Sequence, residues 1–272
     1  MFIETYNEAW LARLDEQVHG LADGVSLYLL IDSVFVPGLH RQMIAALGRV
    51  DALALLFDAL PGCTEDTKSV SPFLLRFEGS SGRLPKLLNK CSGWPMVSAI
   101  ETTENIANLT ERLSAWCIVE ADDQRFNFRF PDTRRLPAIF NALTVNQRAQ
   151  LAGPATRWSY MARDGEWAEL DLPVTYCRPA DRATLDAQQF ATLVSDSETD
   201  EAMMMLLDRG LPVYASPMKN FLIISVAHRA AAHRKLDAAD RLVWCEACLL
   251  GGVALDETEA IAILKEWQHS RV

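Results

Sequence analysis

Apolar and polar positions along the chain follow two different periods, which predicts a protein built from both strands and helices. Nearly continuous apolar runs, the pattern of strands buried on both faces, occur at residues 26–32, 52–57 and 72–77. Apolar residues at helical spacing occur at residues 2–18, 84–88 and 106–116, where Thr102 or Thr103 would cap the last helix. Since the two kinds of segment alternate as far as Pro173, the pattern predicts an α/β (α+β) lobe with a mixed sheet over residues 1–175.

Two hairpins are predicted inside this lobe. The first joins residues 117–120 to residues 125–130 through Asp122-Asp123, and its second strand alternates between arginine or asparagine and phenylalanine. The second hairpin turns at Asp164-Gly165.

The pattern after Pro173 is helical almost throughout. Helices are predicted at residues 190–194, 202–207, 220–233, 238–250 and 258–269. Capping-box spacing supports two helix starts, at Thr144 with Gln147 and at Asp256 with Glu259. We therefore predict a small all-α lobe over residues 183–272, with the boundary near residues 176–182.

Composition and charge exclude several classes of function. The 272 residues are 50% hydrophobic and carry a formal net charge of -10, whereas nucleic-acid binding needs clustered basic side chains, so we expect no nucleic-acid partner. No apolar run reaches the length of a membrane span, and the first residues lack the pattern of a signal peptide. Six irregularly spaced cysteines are typical of reduced thiols, and together these features predict a cytoplasmic protein without a membrane partner.

No complete catalytic or metal-binding motif is present. The five histidines form no zinc-binding pair, and Cys245 and Cys248 continue a helical apolar stripe without a second pair of ligands. The segment Gly79-Ser80-Ser81-Gly82 lacks the Gly-Lys-Ser/Thr ending of a phosphate-binding loop. We expect no cofactor, no metal and no enzymatic activity.

One group of polar residues stands out. Asp32 lies at the end of the first buried strand, where open sheets often bind ligands, but we favour a turn or helix-entry aspartate. Arg129, Asp132, Arg134 and Arg135 form the densest polar cluster of the chain, which is either a partner-binding surface or a structural Arg–Asp network. Our candidate site residues are Asp32, Arg129, Asp132 and Arg134.

Several short segments occur in an order that resembles a known family. They are Tyr28-Leu29-Leu30-Ile31-Asp32, Ser71-Pro72-Phe73-Leu74-Leu75, Gly93-Trp94 and Phe128-Arg129-Phe130-Pro131-Asp132-Thr133-Arg134. The order resembles the family of type VI secretion effector chaperones, or adaptors, long catalogued as a domain of unknown function. Pro131 and Thr133 depart from the family pattern, where tyrosine and proline are usual.

The resemblance implies a bacterial adaptor that binds the N-terminal segment of a secreted effector and loads it onto the spike-tip protein without catalysis. Two alternatives remain open. One is an enzyme of unrecognised class that uses Asp32 and the Arg129/Asp132 cluster, and the other is an immunity protein that neutralises a toxin.

Overall fold

The computed structural model describes residues 1–49, 51–174, 183–252 and 256–270. Contacts divide the chain into two compact units, one of Thr5–Leu193 and one that combines Met1–Glu4 with Val194–Val272. The predicted lobe boundary near residues 176–182 falls outside the described residues and stays a prediction.

A six-stranded sheet forms the centre of the first unit. In the order β2-β3-β1-β4-β7-β8, its strands are Leu53–Leu55, Pro72–Arg76, Ser26–Asp32, Val97–Thr102, Ala155–Met161 and Trp167–Glu169. The three apolar runs predicted as strands are β1, β2 and β3, and β1 is buried from Leu27 to Asp32 because β3 and β4 flank it. Each neighbouring pair is antiparallel.

A second, three-stranded sheet has the order β6-β5-β9, with strands Gln124–Asn127, Ile118–Ala121 and Ala183–Thr184. Asp122 and Asp123 connect β5 to β6 as predicted, both with positive φ, as a tight hairpin turn requires. Strand β9 was not predicted, and it runs parallel to β5. The predicted mixed strand order is therefore found in this small sheet, while the larger sheet is antiparallel throughout. The α+β class is confirmed.

Seven helices surround the sheets of this unit in its described part. They are α1 (Trp10–His19), α2 (Leu39–Leu47), α3 (Glu65–Ser69), α4 (Leu84–Leu88), α5 (Ile106–Ser114), α6 (Leu136–Ala142) and α7 (Val145–Ala152). The predicted capping box at Thr144 and Gln147 is confirmed at the start of α7. The predicted cap of α5 is wrong: β4 extends through Thr102, and the Asn105 side chain accepts the bond from Asn108 N at 2.9 Å instead.

Helices are the regular elements of the second unit in its described part. They are the later part of α8 (Ala187–Asp208), α9 (Pro217–His233), α10 (Ala238–Gly251) and α11 (Glu257–Ser270). The two short helices predicted at residues 190–194 and 202–207 are one helix of 22 residues. α9 packs against both α10 and α11, and Trp244 meets Trp267 with ring centroids 5.4 Å apart. At the start of α11, Asp256 and Glu259 make the predicted reciprocal capping bonds.

The first residues of the chain complete this helical unit. The ring of Phe2 lies 4.8 Å from that of Tyr214, and the carboxylate of Glu4 accepts a hydrogen bond from Met218 N at 3.1 Å. Met218 is in the first turn of α9, where amide groups have no partner within the helix. Glu4 therefore satisfies one of these amides from more than 200 residues away.

A search of the described helices for one long and apolar enough to cross a membrane finds none.

Candidate functional site: an Asp–Arg cluster beside an open strand edge

Asp32 is the last residue of β1 and its carboxylate has two different partners. Oδ1 accepts a hydrogen bond from Val34 N at 3.2 Å, which forms the turn after the strand. Oδ2 accepts a bond from Nη2 of Arg129 at 3.0 Å. Asp32 is thus both a turn aspartate and half of an ion pair that joins segments 97 residues apart.

Asp132 binds Arg134 through both of its oxygens. Nε and Nη2 of Arg134 donate to Oδ1 and Oδ2 at 3.1 and 2.8 Å, and Arg134 N also donates to Oδ1 at 3.1 Å. Oδ2 of Asp132 lies 3.7 Å from Nη2 of Arg129. The structure therefore brings all four predicted residues, Asp32, Arg129, Asp132 and Arg134, into one cluster.

Exposure differs sharply within this cluster. The side chains of Asp32 and Asp132 are 3% and 4% exposed, whereas that of Arg129 is 41% exposed. Burial raises the pKa of Asp32, the Arg129 guanidinium opposes that shift, and Asp132 adds to it. An approaching molecule would therefore meet the guanidinium of Arg129 and not the carboxylates that hold it.

An aromatic pair supports the two arginines. The guanidinium carbons of Arg129 and Arg134 lie 5.7 and 5.8 Å from the centre of the Phe35 ring, at cation–π distance. Phe35 in turn stacks on Trp94, with centroids 5.9 Å apart and an angle of 25° between the rings. Sequence reasoning missed Phe35, although its position three residues after Asp32 was a usable signal.

A small recess of about 70 Å³ opens beside Arg129. Its walls are mostly apolar and come from several elements: Val34, Phe57, Val70, Pro72, Cys117, Phe128 and Pro131, with Asp32, Asn127 and Arg129 as the polar members. The thiol of Cys117 is buried, and burial, with a smaller effect of Asp32, raises its pKa. Cys117 is therefore protonated at neutral pH and is not an activated nucleophile.

Strand β6 leads directly into the recess. Among the described residues it pairs with β5 alone, so its other edge is open. Gln124, Arg125 and Asn127 are exposed, while Phe126 packs on Phe190 with ring centroids 4.6 Å apart. The predicted strand over residues 125–130 ends early, at Asn127, but its alternation continues, since Phe128 and Phe130 are buried.

The other chemical candidates are not brought together. Within the ranges that the structure describes, no group of three or more His, Cys, Asp and Glu side chains could hold a metal ion. Cys245 is buried and Cys248 partly buried, both on α10. His40 and His228 are buried in different units.

A comparison with known proteins finds a family match for part of the chain. Residues 27–150, which are 124 of the 272 residues, match the family described as Domain of unknown function (DUF4123). That family is associated with type VI secretion adaptors. No curated protein and no solved structure matches the chain. Each residue of the cluster and of the recess lies inside the matched segment.

Proposed function

We propose that this protein is a cytoplasmic, non-catalytic adaptor that binds the N-terminal region of one secreted effector and loads it onto the spike-tip protein of a type VI secretion system. The proposal rests on one observation, which is that the family match covers both the Asp–Arg cluster and the recess. Both features lie within residues 27–150. The segment that matches a family associated with adaptors is therefore the segment that carries the exposed guanidinium of Arg129 and the apolar recess beside it.

The chemistry of the recess supports binding rather than catalysis. Catalysis by a nucleophile needs an activating base within hydrogen-bond reach, and a general base needs a free lone pair. Each oxygen of the Asp32 carboxylate already accepts one hydrogen bond, from Val34 N and from Arg129, and only 3% of the side chain is exposed. Burial and the ion pair with Arg129 therefore keep this carboxylate away from a substrate, and separating the pair would be costly at this depth.

Peptide binding needs none of these reactive groups. An extended segment that becomes ordered on docking must recover its lost entropy from buried apolar area and from backbone hydrogen bonds. The recess supplies apolar area, and the open edge of β6 supplies backbone groups.

The test is deletion of the gene in its native bacterium, followed by competition against prey cells that lack one immunity protein at a time. We expect killing by one effector to be lost, while the other effectors and the secreted tube are unaffected. Complementation with the intact gene should restore the killing.

Three outcomes would contradict the proposal. Unchanged delivery of each effector would favour the enzyme or the immunity protein, and self-intoxication of the deletion strain would identify the immunity protein. A general failure of tube secretion would indicate a structural component of the apparatus instead.

A further inference from the structure

We infer that the effector binds as an added strand on the open edge of β6, with an acidic side chain on Arg129 and a neighbouring apolar side chain in the recess. This inference rests on the proposed function, and it goes further by naming the bound surface and the chemistry of the bound segment. The occupant is an extended peptide segment in which a carboxylate lies close to an aliphatic or aromatic residue.

The first support is the direction of the backbone groups of β6. Phe128 N donates to Cys117 O at 2.8 Å, and the register pairs Phe126 with Val119. Backbone groups on a strand turn alternately to one side and the other. The amide and carbonyl groups of Arg125 and Asn127 therefore face away from β5, toward the edge where an added strand would pair.

A second support is the state of the Arg129 guanidinium. Nη2 donates to Asp32 at 3.0 Å, and within the described part of the chain Nε and Nη1 of Arg129 donate no hydrogen bond. Asp32 thus holds one edge of the guanidinium, and the Phe35 ring lies against one of its faces. The remaining donors are oriented in advance and partly exposed, which suits the planar carboxylate of an acidic side chain.

The edge of β6, the guanidinium of Arg129 and the recess are adjacent and form one site. Asn127, Phe128 and Arg129 follow one another in the chain, and all three line the recess. A strand paired with β6 would therefore pass from the edge at Asn127 to the guanidinium two residues further on. Strand positions alternate between faces, so an acidic residue on Arg129 has neighbours that can turn into the recess.

The positive charge of Arg129 determines which kind of peptide this site favours. The protein carries a net charge of -10, and Arg125 lies 3.6 Å from the Glu120 carboxylate. The carboxylates of Asp32 and Asp132 are buried, so the group presented beside the recess is the guanidinium of Arg129. On a protein of net negative charge, this cation favours an acidic side chain of the bound peptide.

Binding measurements on the full chain test the site. The probe is the N-terminal region of the effector whose delivery the gene deletion abolishes, and then overlapping twelve-residue peptides that cover it. Asn127→Pro removes an outward amide that makes no bond within the described protein, and proline is tolerated on such an edge. We expect this variant to bind at least about tenfold more weakly with an unchanged melting temperature, because an added strand loses one backbone hydrogen bond and meets the proline ring.

Glu169→Pro is the matched control. It places the same change on the outward side of β8, the open edge of the larger sheet, since Leu170 N and not Glu169 N donates to Trp158 O. This variant should bind the probe as the wild type does.

Arg129→Gln tests the carboxylate in a double-mutant cycle. Replacing the acidic residue of the bound peptide by its amide should weaken binding to the wild type about tenfold and binding to Arg129→Gln hardly at all. Hydrogen exchange provides a readout without mutation, since the amides of Arg125 and Asn127 should become protected when the peptide is bound.

The outcomes separate the two proposals. If the wild-type protein binds the effector while Asn127→Pro and Glu169→Pro bind it equally well and β6 gains no protection, the added strand is wrong and the adaptor function stands. If each peptide carboxylate is energetically independent of Arg129, the acidic contact is wrong. If the wild type binds no part of any effector, both the adaptor function and the proposed binding site are wrong.

Discussion

The guanidinium of Arg112 packs against Gly153 on the side where any other residue would carry its Cβ atom. A Cβ at residue 153 would lie 2.6 Å from Cζ of Arg112. Arg112 is held there because its Nε donates to Glu104 at 3.1 Å and its Nη1 donates to Leu151 O. Gly153 also has a φ of +57°, so both space and backbone conformation require glycine at this position.

Gly153→Ala should therefore destabilise the protein more than alanine at another glycine with positive φ. The matched control is Gly210→Ala, where φ is +84° but nothing lies within 4 Å of the added Cβ. We expect a loss of about 1 kcal/mol for Gly210→Ala from backbone strain, and about 2 kcal/mol more for Gly153→Ala from the clash. Urea unfolding measures both, and equal losses would show that Arg112 moves aside freely.

Asp132→Ala should lower the free energy of unfolding by about 3 kcal/mol. The change leaves Arg134, whose side chain is 11% exposed, without the carboxylate that binds it at 2.8 Å. Glu65→Ala is the control, because its ion pair with Arg41 is exposed and should be worth less than about 1 kcal/mol. If Asp132→Ala kept full stability and lost effector binding, the cluster would act as a contact surface and not as a structural network.

His228 should make stability depend on pH. Burial lowers its pKa, nearby Arg241 lowers it further, and Glu198 and Glu201 partly oppose the shift. Below pH about 6.5, the ordinary pKa of histidine, His228 takes up a proton in the unfolded chain but not in the folded chain. This contribution to stability is therefore present above about pH 6.5 and is lost as the pH falls toward the lowered pKa.

The measurement is urea unfolding at about pH 7.5 and about pH 5.5. His228→Gln should lose less stability between the two than the wild type does. His233→Gln, an exposed change on the same helix, should follow the wild type. A pH dependence equal in all three proteins would assign the effect to other groups.

The purified protein should contain no stoichiometric zinc. Among the described residues, no His, Cys, Asp or Glu side chain joins Cys245 and Cys248 to make a group of three that could hold a metal ion. Elemental analysis of protein purified without chelators measures this directly. One zinc per chain that disappears in Cys245→Ser would contradict the prediction.

Segments whose structure is decided locally could be predicted from the sequence. The apolar run that became β1, the capping box at Thr144 and the Asp122-Asp123 turn each depend on neighbours a few residues away. Helix α8 could not be predicted as one piece, because polar residues 195–201 interrupt its apolar pattern at the midpoint. Tertiary packing overrides that weak local signal.

Long-range pairings were the other source of error. Strand β9 has two residues and pairs in parallel with β5, more than 60 residues earlier, so neither its length nor its periodicity could indicate it. The sequence indicated Arg129, Asp132 and Arg134 as one cluster and Asp32 apart from it, and only folding brings Asp32 to Arg129. Phe35 was missed because it lies in a loop outside any periodic pattern, so its position three residues after Asp32 was the signal that could have indicated it.

The contacts of Phe2 and Glu4 with the helical unit set an order in which this protein can be made. Met218, which Glu4 caps, is synthesised 214 residues after Glu4. Native contacts across such a separation form slowly, because a long loop must close before they contribute. The helical unit therefore reaches its final form only after its helices have been synthesised, when Phe2 and Glu4 pack against them.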